Sequence, residues 1–225
     1  MNPILIISGP SAGGKTTVAD AILAVDSRFT YLRSATTREP RGDGKDDEYI
    51  YYTPAEFEKA VREGIFAEHM TYGGHRYGTR NEELKRALDE GKIPLLVLDL
   101  AGVASLGMHP DYDACSIYIY DDLDVIERRL DERYISRGGN DERLLRTIQG
   151  RKKNNIADYL AIDRYSPFIY AFIHNGSTVG DCRDKALAYF SDFLSGKAAD
   201  DVNKSVATKT LTRLARAKMI SKDEV

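Results

Sequence analysis

The chain has 225 residues, 42% of them hydrophobic and 30% charged, with a formal net charge of −3. That balance excludes a disordered chain, a collagen and a disulfide scaffold, and it supplies no basic field that would draw the whole chain to nucleic acid. No apolar run approaches the ~20 residues of a membrane span, and the N-terminus has neither a basic flank nor a small-residue cleavage site. A membrane partner and a signal peptide are therefore not expected. Cys115 and Cys182 fit no metal or redox spacing, which predicts reduced thiols in a cytoplasmic protein.

Pro3 to Ile7 is a short apolar run ending in Ser8-Gly9 and reads as a buried parallel strand. Thr16 to Leu23 follows with helical character. Residues 34 to 80 then break the rhythm with many arginines, glycines, tyrosines and acids. Short β-like pieces lie at Glu48 to Tyr52 and Phe66 to Tyr72, so this stretch reads as a small inserted subdomain. Asn81 to Glu90 reads as a helix, Ile93 to Leu98 and Ser116 to Tyr120 as strands, and Leu123 to Tyr134 and Asp141 to Tyr159 as helices. Between the last two, arginines surround Gly138-Gly139, which suits either a mobile lid over phosphates or a solvated helix-loop surface. Ile169 to Ile173 and Arg183 to Leu194 add a last strand and helix. Strands alternating with helices predict a parallel sheet covered on both faces.

After Gly196 the composition changes: residues 197–225 hold seven Lys/Arg against four Asp/Glu. Within this tail Ala207, Leu211, Leu214 and Ala215 share one face of a helix. The tail is expected to pack on the domain or on a second copy of the chain. At under 30 residues it cannot be a whole DNA-binding domain, so nucleic acid is not an expected partner.

Gly9-Pro10-Ser11-Ala12-Gly13-Gly14-Lys15-Thr16 fits G-x-x-x-x-G-K-[ST], and it stands between an apolar strand and a helix as that motif requires. Glycines let backbone N–H groups converge on phosphate oxygens, and the helix adds its positive dipole end. Lys15 would reach the β- and γ-phosphates, and the Thr16 hydroxyl would bind Mg²⁺. The loop specifies a nucleoside triphosphate but not its fate. Asp99 ends the strand at Leu98, at a carboxyl edge where parallel sheets bind ligands. It can orient a metal-bound water or serve the acceptor, or simply cap a loop.

Ser34-Ala35-Thr36-Thr37-Arg38-Glu39-Pro40-Arg41 sets two guanidinium forks three residues apart, able to grip one phosphate. Tyr49 and Tyr77 can add hydroxyl donors. Glu68 follows the apolar pair Ile65-Phe66 and so can point into a partly dry pocket, with Thr79 as a further polar contact. One carboxylate accepts the adjacent N1–H and N2–H donors of guanine as a pair, whereas adenine presents no such edge.

These blocks, together with Leu98-Asp99-Leu100-Ala101-Gly102 and Ile173-His174-Asn175-Gly176, make the chain resemble guanylate kinases over about residues 3 to 194. The resemblance implies an α/β fold: a three-layer P-loop core with a parallel sheet, a GMP-binding β-rich subdomain at about 34–80, and a lid at about 133–146. It implies transfer of the γ-phosphoryl group of ATP to GMP or dGMP, with Mg²⁺. Residue by residue, ATP would be held by Gly9, Ser11, Ala12, Gly13, Gly14, Lys15, Thr16 and Thr17, with Arg133, Arg137 and Asn175. Ser34, Glu68 and Thr79 would hold the guanine, and Arg38, Arg41, Tyr49 and Tyr77 the GMP phosphate. Asp99 would lie between the two nucleotides. Lys15, Arg38, Asp99 and the lid arginines Arg137 and Arg146 would carry the catalysis. The lid aligns either through Arg133-Tyr134 or through Arg137-Gly138-Gly139.

The sequence also departs from the family. Ala12 replaces a usual glycine, which is free of strain only if its φ stays below zero. Ala101, His69 and Gly176 replace the usual Gln, Trp and Asp, and the link from Arg41 to Tyr49 is unusually acidic. Two other readings are a kinase for another phosphorylated acceptor, such as a ribose bisphosphate, and a non-catalytic guanylate-kinase-like binding module. The complete phosphate loop speaks against the second.

Overall fold

The computed structural model describes residues 2–40, 49–72, 74–136, 138–139 and 141–223. Nine strands and eight helices are present among them. A five-stranded sheet runs in the order β2-β7-β1-β8-β9, with β1 (Pro3–Ser8) at its centre. Its other strands are β2 (Phe29–Tyr31), β7 (Ile93–Val97), β8 (Asp113–Tyr120) and β9 (Ala171–His174). Every pairing in it is parallel, with Leu5 facing both Leu95 and Cys115. Parallel strands covered on both faces need continuous apolar runs, and Ile4 to Ile7 are wholly buried.

Alternate residues of β1 feed two cores. Leu5 and Ile7 pack with Val18, Ala19 and Ile22 of α1 (Lys15–Val25) and with Phe190 of α7 (Val179–Leu194). Ile4 and Ile6 face the opposite core, with Val103 and Leu106 of α4 (Leu100–Gly107) and Ile126 of α5 (Leu123–Ser136). That core continues through Tyr159 and Ile162 of α6 (Glu142–Tyr165) to Ala207, Leu211 and Ala215 of α8 (Asp201–Asp223). The tail is thus a helix lying on the domain itself, against α5, α6 and β9.

The 34–80 stretch forms a second sheet, β4-β3-β6-β5. Here β3 (Ser34–Thr36) pairs in parallel with β4 (Tyr49–Tyr51) and antiparallel with β6 (His75–Arg80), which pairs with β5 (Phe66–Tyr72). Between these strands lies α2 (Pro54–Arg62), which the hydrophobic pattern does not announce. A reciprocal Thr53–Glu56 capping box and Pro54 in its first turn start it. Phe57 of α2 stacks on Phe66 at 4.5 Å, fastening the helix to this sheet. α3 (Asn81–Asp89) then leads back to β7. Among the described residues no helix is long and apolar enough to cross a membrane.

Candidate active site

The strand order reverses on either side of β1, so ligands are expected at its carboxyl end. The loop Gly9–Gly14 leaves β1 there. A Cβ on Gly9 would lie 2.1 Å from the Ile119 carbonyl oxygen, so only glycine allows the loop to cross β8. Gly14, with φ +95, turns the chain into α1. Ala12 differs from expectation: its φ is +66, the left-handed region, not below zero. For a residue with a Cβ this conformation costs about 1–2 kcal/mol, and the surrounding loop must impose it.

The Lys15 ammonium turns back onto the loop, donating to the carbonyl oxygens of Gly9 and Pro10 at 2.8 Å each. Burial, partly offset by Asp158, lowers its pKa to about 8. The loop and the second sheet face each other across a cleft of about 360 Å³. From the loop side Gly9, Ser11, Ala12, Gly14, Lys15, Thr16 and Thr17 line it. Ser34, Tyr49, Glu68 and Tyr77 line it from the second sheet. Asp99 stands between the two groups.

Glu68 is buried, and its Oε1 accepts from the Thr79 hydroxyl at 2.6 Å. Its Oε2 is also buried but has no hydrogen-bond partner among the described residues. Burial first, then the nearby Asp99 charge, pushes the Glu68 pKa up to about 7, against the opposing pull of Thr79. Gly102 keeps this corner open, since a Cβ there would sit 3.3 Å from Oε2. Asp99 caps α4, its Oδ1 accepting from the Gly102 N–H at 2.8 Å, and its carboxylate lines the cleft. Burial raises its pKa.

Arg38 is buried beside the Tyr49 ring, its guanidinium carbon 4.9 Å from the centroid. Its Nε and Nη1 have no partner among the described residues. Buried guanidinium donors are costly unless paired, so Arg38 is poised for an anion. Arg41 and Arg137 fall outside the described residues.

The other lid and adenine candidates divide. Arg133, near the end of α5, lines the cleft. Arg146 does not; it sits on the exposed side of α6, paired with Glu142 at 3.2 Å. Arg151 lines the cleft instead, with Asn154 and Asp158. Five residues turn a helix by about 140° beyond one full turn, which carries Arg146 off the face that Arg151 occupies. Asn175 is committed to the loop, donating to the Gly13 carbonyl at 3.0 Å while accepting from the Cys182 thiol at 3.3 Å. Sequence reading missed Arg151 and Asp158. Their signal is Arg151-x-x-Asn154-Asn155-x-x-Asp158, polar residues at helical spacing on one face of a helix that is also charged elsewhere, so the pattern does not stand out in the sequence.

A metal would have few protein ligands here. Among the described residues no group of three or more His, Cys, Asp or Glu side chains is placed to hold one. That fits Mg²⁺, which keeps its waters and is bound chiefly by substrate phosphates with one or two protein oxygens. The exposed Thr16 hydroxyl at the start of α1 and the Asp99 carboxylate are oxygens of that kind in the cleft.

A glycine-rich loop with its lysine and an acid-lined second compartment share one cleft, an arrangement suited to phosphoryl transfer between two bound molecules. The fold and the cleft together define a P-loop kinase.

Comparison with known proteins narrows the class. The family model for guanylate kinase matches residues 1–159, so the chain belongs to the guanylate kinase family. A guanylate kinase of Rickettsia bellii is 36% identical over 132 residues, which is 58% of this chain and 69% of that protein. That of Cereibacter sphaeroides is 33% identical over 174 residues, 72% of this chain and 78% of the relative. That of Lactobacillus acidophilus is 32% identical over 213 residues, 90% and 96% of the two chains. The crystal structure of guanylate kinase from Anaplasma phagocytophilum shares the fold, with a TM-score of 0.57 and 23% identity over 89% of this chain and 88% of that one.

Proposed function

We propose that this chain transfers the γ-phosphoryl group of ATP to the phosphate of GMP or dGMP, giving ADP and GDP or dGDP. Family membership supports the activity. The observation that most supports guanine as the acceptor base is the buried, unpartnered Oε2 of Glu68. With Oε1 tied to Thr79, the carboxylate still has one oxygen wholly free, plus a second lone pair on the other, for the adjacent N1–H and N2–H of guanine.

The acceptor phosphate is itself the nucleophile, so the reaction needs positioning and charge neutralisation more than a general base. An oxygen of the GMP phosphate bonds to the γ-phosphorus as the bond from that phosphorus to the β–γ bridging oxygen breaks, and ADP leaves with the electron pair. The loop N–H groups and Lys15 hold the ATP phosphates, while Arg38 and Tyr49 hold the acceptor phosphate in line. Arg133 and Arg151 approach from α5 and α6 and neutralise charge on the transferring group, with Arg137 as a further lid candidate. The Thr16 hydroxyl would hold Mg²⁺ arriving with ATP, and the ion would supply charge neutralisation for the phosphates. Closure of the 34–80 subdomain and the lid on the core excludes water, limiting hydrolysis of ATP.

The test is ADP release from Mg²⁺-ATP with GMP, dGMP, AMP, CMP, UMP and ribose 1,5-bisphosphate in parallel. Turnover confined to GMP and dGMP is expected. Turnover with the sugar bisphosphate instead would overturn the role of Glu68. Absence of turnover with every acceptor would overturn the kinase reading.

A further inference from the structure

Three consecutive residues of the phosphate loop are each held by a side chain from elsewhere in the fold. Asn155 of α6 makes two bonds to Ser11: its Oδ1 accepts from the Ser11 N–H at 2.8 Å, and its Nδ2 donates to the Ser11 carbonyl at 3.1 Å. Arg129 of α5 reaches the Ala12 carbonyl at 3.4 Å and is itself paired with the buried Asp121 at 2.9 Å. Asn175, after β9, holds the Gly13 carbonyl. The middle residue, Ala12, is the only described non-glycine residue with a positive φ.

A left-handed alanine persists only where its surroundings outweigh its preference for the right-handed or extended regions. The Asn155 amide is the strongest restraint next to it. It is buried, both its polar atoms are used, and both bonds go to the peptide groups of one residue, which fixes the plane entering Ala12. Rotation of Ala12 toward negative φ would swing its neighbours' N–H groups away from the point on which they converge.

We propose that Asn155 is a positioning residue that holds the Ala12-containing loop in its phosphate-binding conformation, compensating for the absence of glycine at position 12. It acts on the triphosphate through the Ser11 and Ala12 backbone, not by contact with the reacting atoms. The inference rests on the reading of this loop as the ATP site, and it is independent of the acceptor.

The experiment measures ATP binding by titration calorimetry, without acceptor, for the full chain and for Asn155→Ala, Asn155→Asp, Ala12→Gly and the double variant Asn155→Ala/Ala12→Gly, each with its melting curve. Asn155→Ala is expected to weaken ATP binding about tenfold, as fits the loss of a buried two-bond contact. KM for ATP should rise while KM for GMP stays put. Asn155→Asp keeps the acceptor but sets an oxygen against the Ser11 carbonyl, so its loss should be at least as large. Adding Ala12→Gly should restore most of the affinity lost in Asn155→Ala, because glycine adopts the left-handed conformation without help. Unchanged ATP binding in Asn155→Ala would overturn the proposal. So would a loss that Ala12→Gly fails to relieve, or one that merely follows the fraction unfolded. Failure of the unaltered chain to bind ATP would remove the loop reading and this proposal with it, whereas failure to use GMP would touch neither.

Discussion

The Thr79 hydroxyl donates to Glu68 Oε1 at 2.6 Å, and the two residues face each other across β5 and β6. This pairing pins one oxygen of a buried carboxylate and leaves Oε2 without a partner. Glu68→Gln replaces an acceptor by a donor. GMP binding is expected to weaken by about 1–3 kcal/mol, with reduced discrimination against other bases. Unchanged GMP affinity and base preference in that variant would remove Glu68 from the base site. The same substitution should stabilise the ligand-free protein. Glu68 has its folded pKa raised to about 7 from 4.5, so its contribution is fully present below pH 4.5 and lost as pH rises through 7. At pH 8 the glutamine variant should be more stable by about 1–2 kcal/mol, which thermal melts with and without GMP would register.

The pH dependence of the two substrates should separate. Guanine is best accepted by ionised Glu68, so GMP affinity should fall about tenfold per unit as pH drops below about 7. Phosphate favours the charged form of Lys15, whose pKa in the free protein is about 8, so ATP affinity should fall as pH rises through that value. Binding isotherms for each nucleotide alone, from pH 5.5 to 9.5, test both limbs. A single shared limb would contradict the assignment.

Lys15→Ala removes the cation proposed to meet the β- and γ-phosphates, which in the free protein lies on the Gly9 and Pro10 carbonyls. Turnover should drop by ~10²-fold or more. Near-normal turnover in a folded variant would argue that another cation, such as Arg151, does this job.

Ala12→Gly relieves a left-handed alanine at a cost of about 1–2 kcal/mol, offset by the ~0.4–1 kcal/mol of extra freedom glycine has in the unfolded chain. A net gain of up to about 1 kcal/mol is expected in chemical denaturation. A loss would mean that the Ala12 methyl group, buried in the core that contains α6 and α8, outweighs the strain.

Leu211 of α8 is wholly buried against the same core. Leu211→Ala should cost about 2–5 kcal/mol. Because α6 carries Arg151, Asn155 and Asp158 on one side and packs on α8 with another, truncation after Gly196 should lower turnover as well as the melting temperature. A truncated chain with full activity would reduce α8 to an ornament of the fold.

Some of this molecule was legible residue by residue. The central strands announce themselves as apolar runs because a parallel sheet buried on both faces tolerates nothing else, and the loop after β1 follows from its glycines, Lys15 and Thr16. The proposed guanine pocket could be put forward as a set of residue types, since Ser34, Glu68 and Thr79 carry hydrogen-bonding chemistry in their side chains. α2 and α4 were missed because their starts depend on capping bonds, from Thr53 and Asp99, that hydrophobic spacing does not encode. Three matters needed the packed chain. The rotation of α6 decides that Arg151 enters the cleft while Arg146 meets solvent. Burial, helped by the nearby Asp99 and opposed by the Thr79 hydrogen bond, decides that the Glu68 pKa is pushed up to about 7. The sign of φ at Ala12 is imposed by bonds from residues more than a hundred positions away. Periodicity and composition report local preference; orientation, desolvation and strain arise only when distant segments close on one another.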